Sequence, residues 1–234
     1  AQELGFAESD PSLDVKGYDA KYKLVIAIAH TFGLFVQPED VINIGIDKIS
    51  DVDLKFAREN NYTIKLIARS FRIGDKVYGF VAPQFIEANN PLAAVRNEYN
   101  AVQVQGAFAE KQLFIGKGAG SYPTGSAVLS DLSALSYDYQ YEYKKLHQAD
   151  RFDFSNELLV DAFISFTEGT PISIHDFAKF QSGYAASGKQ YMVGQVSLSR
   201  LKEWAHLEGV GIILAPNASF VPVAEPIATQ AVAV

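Results

Sequence analysis

Apolar positions along the chain recur with two periods, 3.6 and 2, and the switches between them divide the sequence into elements. In residues 19–35, Leu24, Ile28, Thr31, Phe32 and Phe35 recur at helical spacing and Gly33 stands near the end, which predicts a helix. Pro38 opens a short helix or turn, and residues 51–61 (DVDLKFARENN) predict an amphipathic helix closed by Asn60 and Asn61, a residue type that tolerates left-handed geometry. The period then drops to two. Residues 62–71 and 76–82 predict a hairpin across Gly74-Asp75, and residues 101–108 and 112–115 a second pair, with a turn or helix start at residues 89–92 between them. A glycine-rich loop at residues 116–124 leads to a helical stretch near 125–134. Beyond it the pattern predicts strand 158–166, helix 173–184, strand 190–197, helix 198–206 and strand 211–215. The tail, residues 216–234, is expected to lie on the surface or to fray.

This order predicts an α+β fold, a largely antiparallel sheet with helices on one face, followed by a small α/β module. Residues 137–154, crowded with Tyr, Lys, Asp and Glu, are the candidate linker or domain surface. The expected division is residues 1–145, 146–220 and a tail 221–234.

Composition narrows the function. The chain has 234 residues, 48% hydrophobic and 20% charged, enough to bury a core without disulfides. Cysteine is absent, which excludes a disulfide framework and a cysteine nucleophile and points to a reducing, cytoplasmic compartment. The formal charge of -7, with no basic patch, argues against nucleic-acid partners. The longest uncharged stretches, residues 24–36 and 209–224, fall short of the ~20 apolar residues of a membrane span, and no signal peptide precedes them. Met192 is the only methionine, so Ala1 is not a translation start and a preceding segment is expected.

The densest candidate chemistry lies at the front. Glu8, Asp10, Asp14 and Asp19 put four carboxylates within twelve residues, and Asp19 and Lys23, four apart, share one helix face. Buried, such a pair could move protons; exposed, it is an ordinary surface ion pair beside solvated acids. Gly118 and Gly120 permit close backbone approach to a ligand before a helix N-terminus, or serve turn geometry alone. His30, His147, His175 and His206 have no spacing that makes a metal pair, and His30 in its apolar run is expected in the core. Tyr137, Tyr139, Tyr141 and Tyr143 fit a packed surface better than a base-stacking platform.

The run GFAESDPSLDVKGYDAKYK, residues 5–23, resembles the substrate-site segment of homoserine dehydrogenases, G-[YF]-A-E-x-D-P-x-x-D-x-x-G-x-D-x-x-x-K, at every fixed position. YTIKLIA (62–68), NPLAAVRNEYNAV (90–102) and GKGAGSYPTGSAVLSD (116–131) resemble the family's later motifs in order, so the likeness covers about residues 1–135. The Pro123-Thr124 form of the loop is similar to the monofunctional enzymes. This resemblance implies interconversion of L-homoserine and L-aspartate 4-semialdehyde with NADP or NAD, in threonine and methionine biosynthesis. It implies Lys23 as proton donor and acceptor at the substrate oxygen, Asp19 as the group tuning it, and Glu8 and Asp14 as substrate ligands. Gly120, then Gly118, would meet the cofactor, and no metal is implied.

The family also places a dinucleotide-binding domain ahead of Glu8, so the chain alone is expected to bind NAD poorly and to be inactive. A homodimer with the 62–115 sheet at its interface is implied. So is an ACT-like regulatory module open to an effector such as threonine, although residues 157–215 show three predicted strands where that fold has four. The competing readings are a non-catalytic amino-acid-binding or assembly module with an ancestral acidic pocket, and a metal site on Glu8, Asp10, Asp14 and Asp19.

Overall fold

The long helix of the structure is fixed at both ends before it meets the sheet. A computed structural model describes residues 10–140, 142, 144–148, 150–186 and 188–223. After a short α1 (Ser12–Val15) comes α2 (Tyr18–Phe32), which ends where Gly33, at φ 67°, returns its N–H to Ala29 O at 3.0 Å. That left-handed turn suits glycine, and a Cβ there would meet Lys145 O at 2.3 Å. The residues after it explain the crowding: Lys145 Nζ donates to Thr31 O at 2.5 Å and Gln148 Nε2 to Phe32 O at 2.6 Å. A stretch that reads as linker therefore caps the open carbonyls of α2, the lysine also complementing the helix dipole.

Next come β1 (Ile42–Asn43) and α3 (Asp51–Glu59), the latter opened by a capping box in which Ser50 and Asp53 exchange side-chain and backbone bonds. The strands β2 (Tyr62–Ile73) and β3 (Lys76–Glu87) form twelve antiparallel pairs, longer than the pattern predicted. Pro83 stops a sequence reading at Ala82, but the strand runs through it, opposite Leu66. A 3-10 turn (Pro91–Ala94) leads to β4 (Tyr99–Gly106), β5 (Glu110–Lys117) and α4 (Ser121–Leu135). The remaining strands are β6 (Asp153–Phe154), β7 (Leu158–Thr167), β8 (Lys179–Ala186), β9 (Lys189–Ser197), β10 (Gly211–Leu214) and β11 (Phe220–Pro222), with α5 (Leu198–Trp204) between β9 and β10.

The main sheet has the order β1-β3-β10-β7-β9-β8, with β2 and β6 also on β3 and β11 on β7; β4 and β5 form a separate two-stranded sheet. With β2 along one edge, β3 takes β6, β1 and β10 in turn, each parallel, along the other: Val77 opposite Phe154, Phe80 opposite Ile42, Gln84 opposite Leu214. The α+β class and the largely antiparallel sheet are as expected. The strands after residue 150 do not make a sheet of their own; β10 joins them to β3.

The helices of the earlier half, α2 and α3, share one face of β3, and α5 of the later half covers the other. Val77 and Val81 of β3 pack against Leu24 and Ile28 of α2, and Phe85 clusters with Ala57 of α3, whereas Tyr78, Phe80 and Ala82 lie in the cluster that holds Leu198, Leu201 and Trp204 of α5. Alternation along one strand thus assigns two helices to one side and the third to the other.

The helix expected at residues 173–184 is absent. Ser173 and Asp176 close a capping box around a 3-10 turn (Ile174–Asp176), and Lys179–Ala186 pairs with β9 as β8. Ile174, Phe177 and Tyr184 mimic a helical stripe, but an open strand edge beside them offers backbone bonds that outweigh local preference. The tail, expected to be loose from residue 216, is pinned at residues 220–222 as β11, where Phe220 pairs with Val160; residues 224–234 lie outside the described set.

Ile213 is fully buried, clustered with Phe85 and Phe163 across the junction of the earlier and later strands. Ile213→Ala is expected to lower stability by about 2–4 kcal/mol. In urea the transitions followed by far-UV circular dichroism and by Trp204, the one tryptophan, should shift together. Separated transitions would show that the two strand sets unfold independently.

Candidate active site

Docking of α2 decides which of its charges face water. Its buried positions are Lys21, Leu24, Ile28 and Ala29, so Asp19 and Lys23 lie on the outer surface. They form an ion pair at 2.7 Å with side chains 47% and 62% exposed. Of the two alternatives, the pair takes the exposed one, and a different lysine is desolvated. Lys21 is only 8% exposed, its ammonium 5.0 Å from the Tyr18 ring centroid. Burial holds its pKa below the ordinary lysine value, with Glu39 acting against the shift and Lys202 with it. His30, expected in the core, is exposed on the same helix.

The carboxylates are distributed rather than gathered. Asp14 is exposed on α1, and Asp10 accepts the Ser12 N–H at 3.0 Å. Hydrogen bonds from Ser12 hold Asp10 below the usual carboxylate range. Glu8 lies outside the described residues. Among the described residues no group of three or more His, Asp or Glu side chains is placed to hold a metal ion.

The two glycines sit on another unit, the β4–β5 hairpin and α4. A Cβ on Gly118 would meet Nδ2 of the exposed Asn100 side chain in its own hairpin, so that side chain would have to move to admit any residue but glycine. Gly120 differs: at φ 119°, ψ 154° it is the N-cap of α4 with no side-chain cap, leaving the first-turn N–H groups free for an anionic or amide ligand. No residue of α4 is buried, and Val128, Leu129, Leu132 and Leu135 are exposed along it.

One feature has no signal in the sequence. A cleft of about 260 Å³ opens between the turn before α2, residues 43–49 and the end of α5, lined by Lys16, Tyr18, Asn43, Asp47, Lys48 and His206 among others. Lys48 Nζ donates there to Ala205 O at 2.6 Å and Leu207 O at 2.8 Å. These partners are 157 and 159 positions away in sequence, beyond any periodicity or spacing rule. No helix among the described residues is long and apolar enough to cross a membrane.

Comparison with known proteins gives a consistent result. The profile of the family described as homoserine dehydrogenase matches residues 1–133. A homoserine dehydrogenase of Bacillus subtilis is 45% identical over 135 residues, covering 58% of this chain and 31% of the relative; one of Helicobacter pylori is 39% identical over 136 residues, covering 58% and 32%. The crystal structure of a homoserine dehydrogenase from Thiobacillus denitrificans superposes with a TM-score of 0.72 at 25% identity, over 92% of this chain and 56% of that one. A homoserine dehydrogenase of S. aureus gives 0.62 at 30% identity, over 92% and 56%. The chain spans under a third of the length of the curated relatives it matches, while the structural likeness runs on through the strands after residue 133.

The buried Lys21 gives a test of which lysine is structural. A lysine whose folded pKa lies below its unfolded value near 10.5 weighs against folding at neutral pH, and the penalty fades as pH rises through the folded pKa. Lys21→Met is therefore expected to stabilise the chain by about 1 kcal/mol at pH 7, the lost Tyr18 contact offsetting part of the gain. The advantage should shrink by pH 10, as read from urea midpoints. A variant less stable than the parent at pH 7 overturns this account.

Proposed function

Because the chain belongs to the homoserine dehydrogenase family, we propose that it supplies the substrate-binding, proton-transferring and subunit-pairing part of an enzyme that interconverts L-homoserine and L-aspartate 4-semialdehyde with NADP or NAD. The observation that carries this reading is the Asp19–Lys23 pair at 2.7 Å, on the first turns of α2, within a segment that fills the family's motif. In the oxidation direction Lys23, as the free amine, accepts the hydroxyl proton of the substrate; in reverse its ammonium form donates a proton to the oxygen of the forming alcohol. Asp19 holds the amine in place through their ion pair. Asp14, with Glu8, binds the substrate ammonium group.

NADP or NAD, when bound, supplies the hydride acceptor or donor. Gly120 suits such a ligand, because its backbone geometry excludes most side chains and the N–H groups that follow are uncapped. Gly118 fits less directly, its space being taken by Asn100. A preceding nucleotide-binding domain, as the family resemblance implies, would cover the outer face of α2 and desolvate Lys23. A cytoplasmic location accords with the cysteine-free sequence.

The proposed assembly is a homodimer with residues 62–115 at its interface. Val102, Val104, Phe114 and Ile115 are exposed on a two-stranded sheet that has little independent stability in water. For the later strands, β10-β7-β9-β8 places the fourth, first, third and second strands side by side, all antiparallel, with α5 after the third. That order supports an ACT-like reading in which a short turn replaces the first helix, and with it control by an amino acid such as threonine.

Four measurements test these statements. With the chain joined to the nucleotide-binding part of a family member, NAD(P)-dependent homoserine oxidation should fall about 10²–10⁴-fold in Lys23→Ala. Because the pair is exposed, the urea midpoint should move by less than about 1 kcal/mol equivalent; near-normal turnover would sink the role of Lys23. Light scattering of the chain should give a dimer, against a clean monomer at micromolar concentration. Threonine binding undetectable at millimolar ligand would remove the regulatory reading.

A further inference from the structure

We propose that Lys48 is a positioning residue for the Asp19–Lys23 site, acting through the turn that starts α2. The proposal rests on the functional reading above and extends it to a residue outside the family motifs. Two consecutive carbonyls before α2 are held by one loop: Ile46 N donates to Val15 O at 2.7 Å and Asn43 Nδ2 to Lys16 O at 2.8 Å. The loop presses close, since a Cβ on Gly45 would meet Val15 O at 2.4 Å and the Lys16 Cα at 2.6 Å. Gly17 follows directly, and its carbonyl accepts the Lys21 N–H at 3.0 Å in the first turn of α2. Where that loop sits therefore sets where α2 begins, and with it the direction in which Asp19 and Lys23 point.

Lys48 fixes the loop from the other side. Its ammonium bridges Ala205 O, the C-cap carbonyl at the negative end of the α5 dipole, and Leu207 O in the turn just after it. Leu198, Leu201 and Trp204 bury α5 in the core, so the anchor is rigid. Ile42 and Ile44 share a buried cluster with the α5 core, but a cleft of about 260 Å³ runs along the junction, and across it the two Lys48 bonds are the polar link between the loop and the end of α5. The path is short: α5, Lys48, the 43–46 loop, the carbonyls of Val15 and Lys16, then α2. It lets the strands after residue 150 support a site built from residues far before them in sequence.

The test compares Lys48→Met, which keeps most of the stem and removes the donors, with Lys48→Arg, which keeps charge and donors. In this chain, hydrogen exchange at the Ile46 and Lys21 amides should rise about tenfold in Lys48→Met and stay within about twofold of the parent in Lys48→Arg, with the β7 amides unchanged. In the assembled enzyme Lys48→Met should lower kcat about tenfold with KM for homoserine within about twofold, again rescued by arginine. Unchanged exchange at Ile46 and Lys21 overturns the proposal. So does faster exchange with unaltered kcat, and so does acceleration of the β7 amides, which would make Lys48 general support. If the parent enzyme does not oxidise homoserine, the functional reading fails, while the exchange data still decide whether Lys48 holds the start of α2.

Discussion

The main sheet and the helices packed on it depend on β3 being buried on both faces and paired on both edges. From Val77 to Ile86 every residue is buried, ten in succession, as a strand must be when layers cover it from either side. Its odd positions receive α2 and α3, its even positions the cluster around α5, and three short strands share the edge that β2 leaves open. The one polar side chain in that run, Gln84, is kept there by bonds to Arg69 and to the carbonyls of Ala215 and Pro216. These bonds tie β2 and the chain after β10 to the same point, so that an otherwise costly buried amide becomes a junction.

The same constraint distributes charge at the site. Leu24 and Ile28 can reach Val77 and Val81 only if α2 turns Lys21 inward, and Asp19 and Lys23 then face out. The protein therefore carries two lysines two residues apart in opposite environments, one buried against Tyr18 with its proton affinity lowered, the other exposed and held by a carboxylate. On the proposed reading the exposed one reacts, which is sound chemistry only if substrate and a covering domain supply the desolvation that the sheet does not. The buried one belongs to the packing of α2.

Local signals in the sequence carried much of this. The period-3.6 run found α2, the asparagine pair found the end of α3, the Gly74-Asp75 turn found the β2–β3 hairpin, and the motif of residues 5–23 located the ion pair. What they missed depends on long-range pairing. Phe177 and Tyr184 keep a helical interval, yet the β9 edge claims Lys179–Ala186 as a strand. Lys145 and Gln148 read as linker because their partners, Thr31 and Phe32, are 114 and 116 positions earlier. The exposure of Lys23 was hidden for a related reason: a spacing of four puts two residues on one face without saying which way that face looks.

Exposure of the β4–β5 hairpin and α4 follows the same logic in reverse. A helix with Val128, Leu129, Leu132 and Leu135 in contact with water leaves its whole apolar stripe unburied, and a lone hairpin with Val102 and Val104 exposed does the same. Neither is covered by the main sheet. In the proposed enzyme the covering contacts come from a second copy along the hairpin and from the cofactor-binding side along α4, whose uncapped start at Gly120 would meet the cofactor. On that reading, burial of α4, approach of a ligand to Gly120 and desolvation of Lys23 would be consequences of one closure, covering the open ion pair and the open apolar helix together.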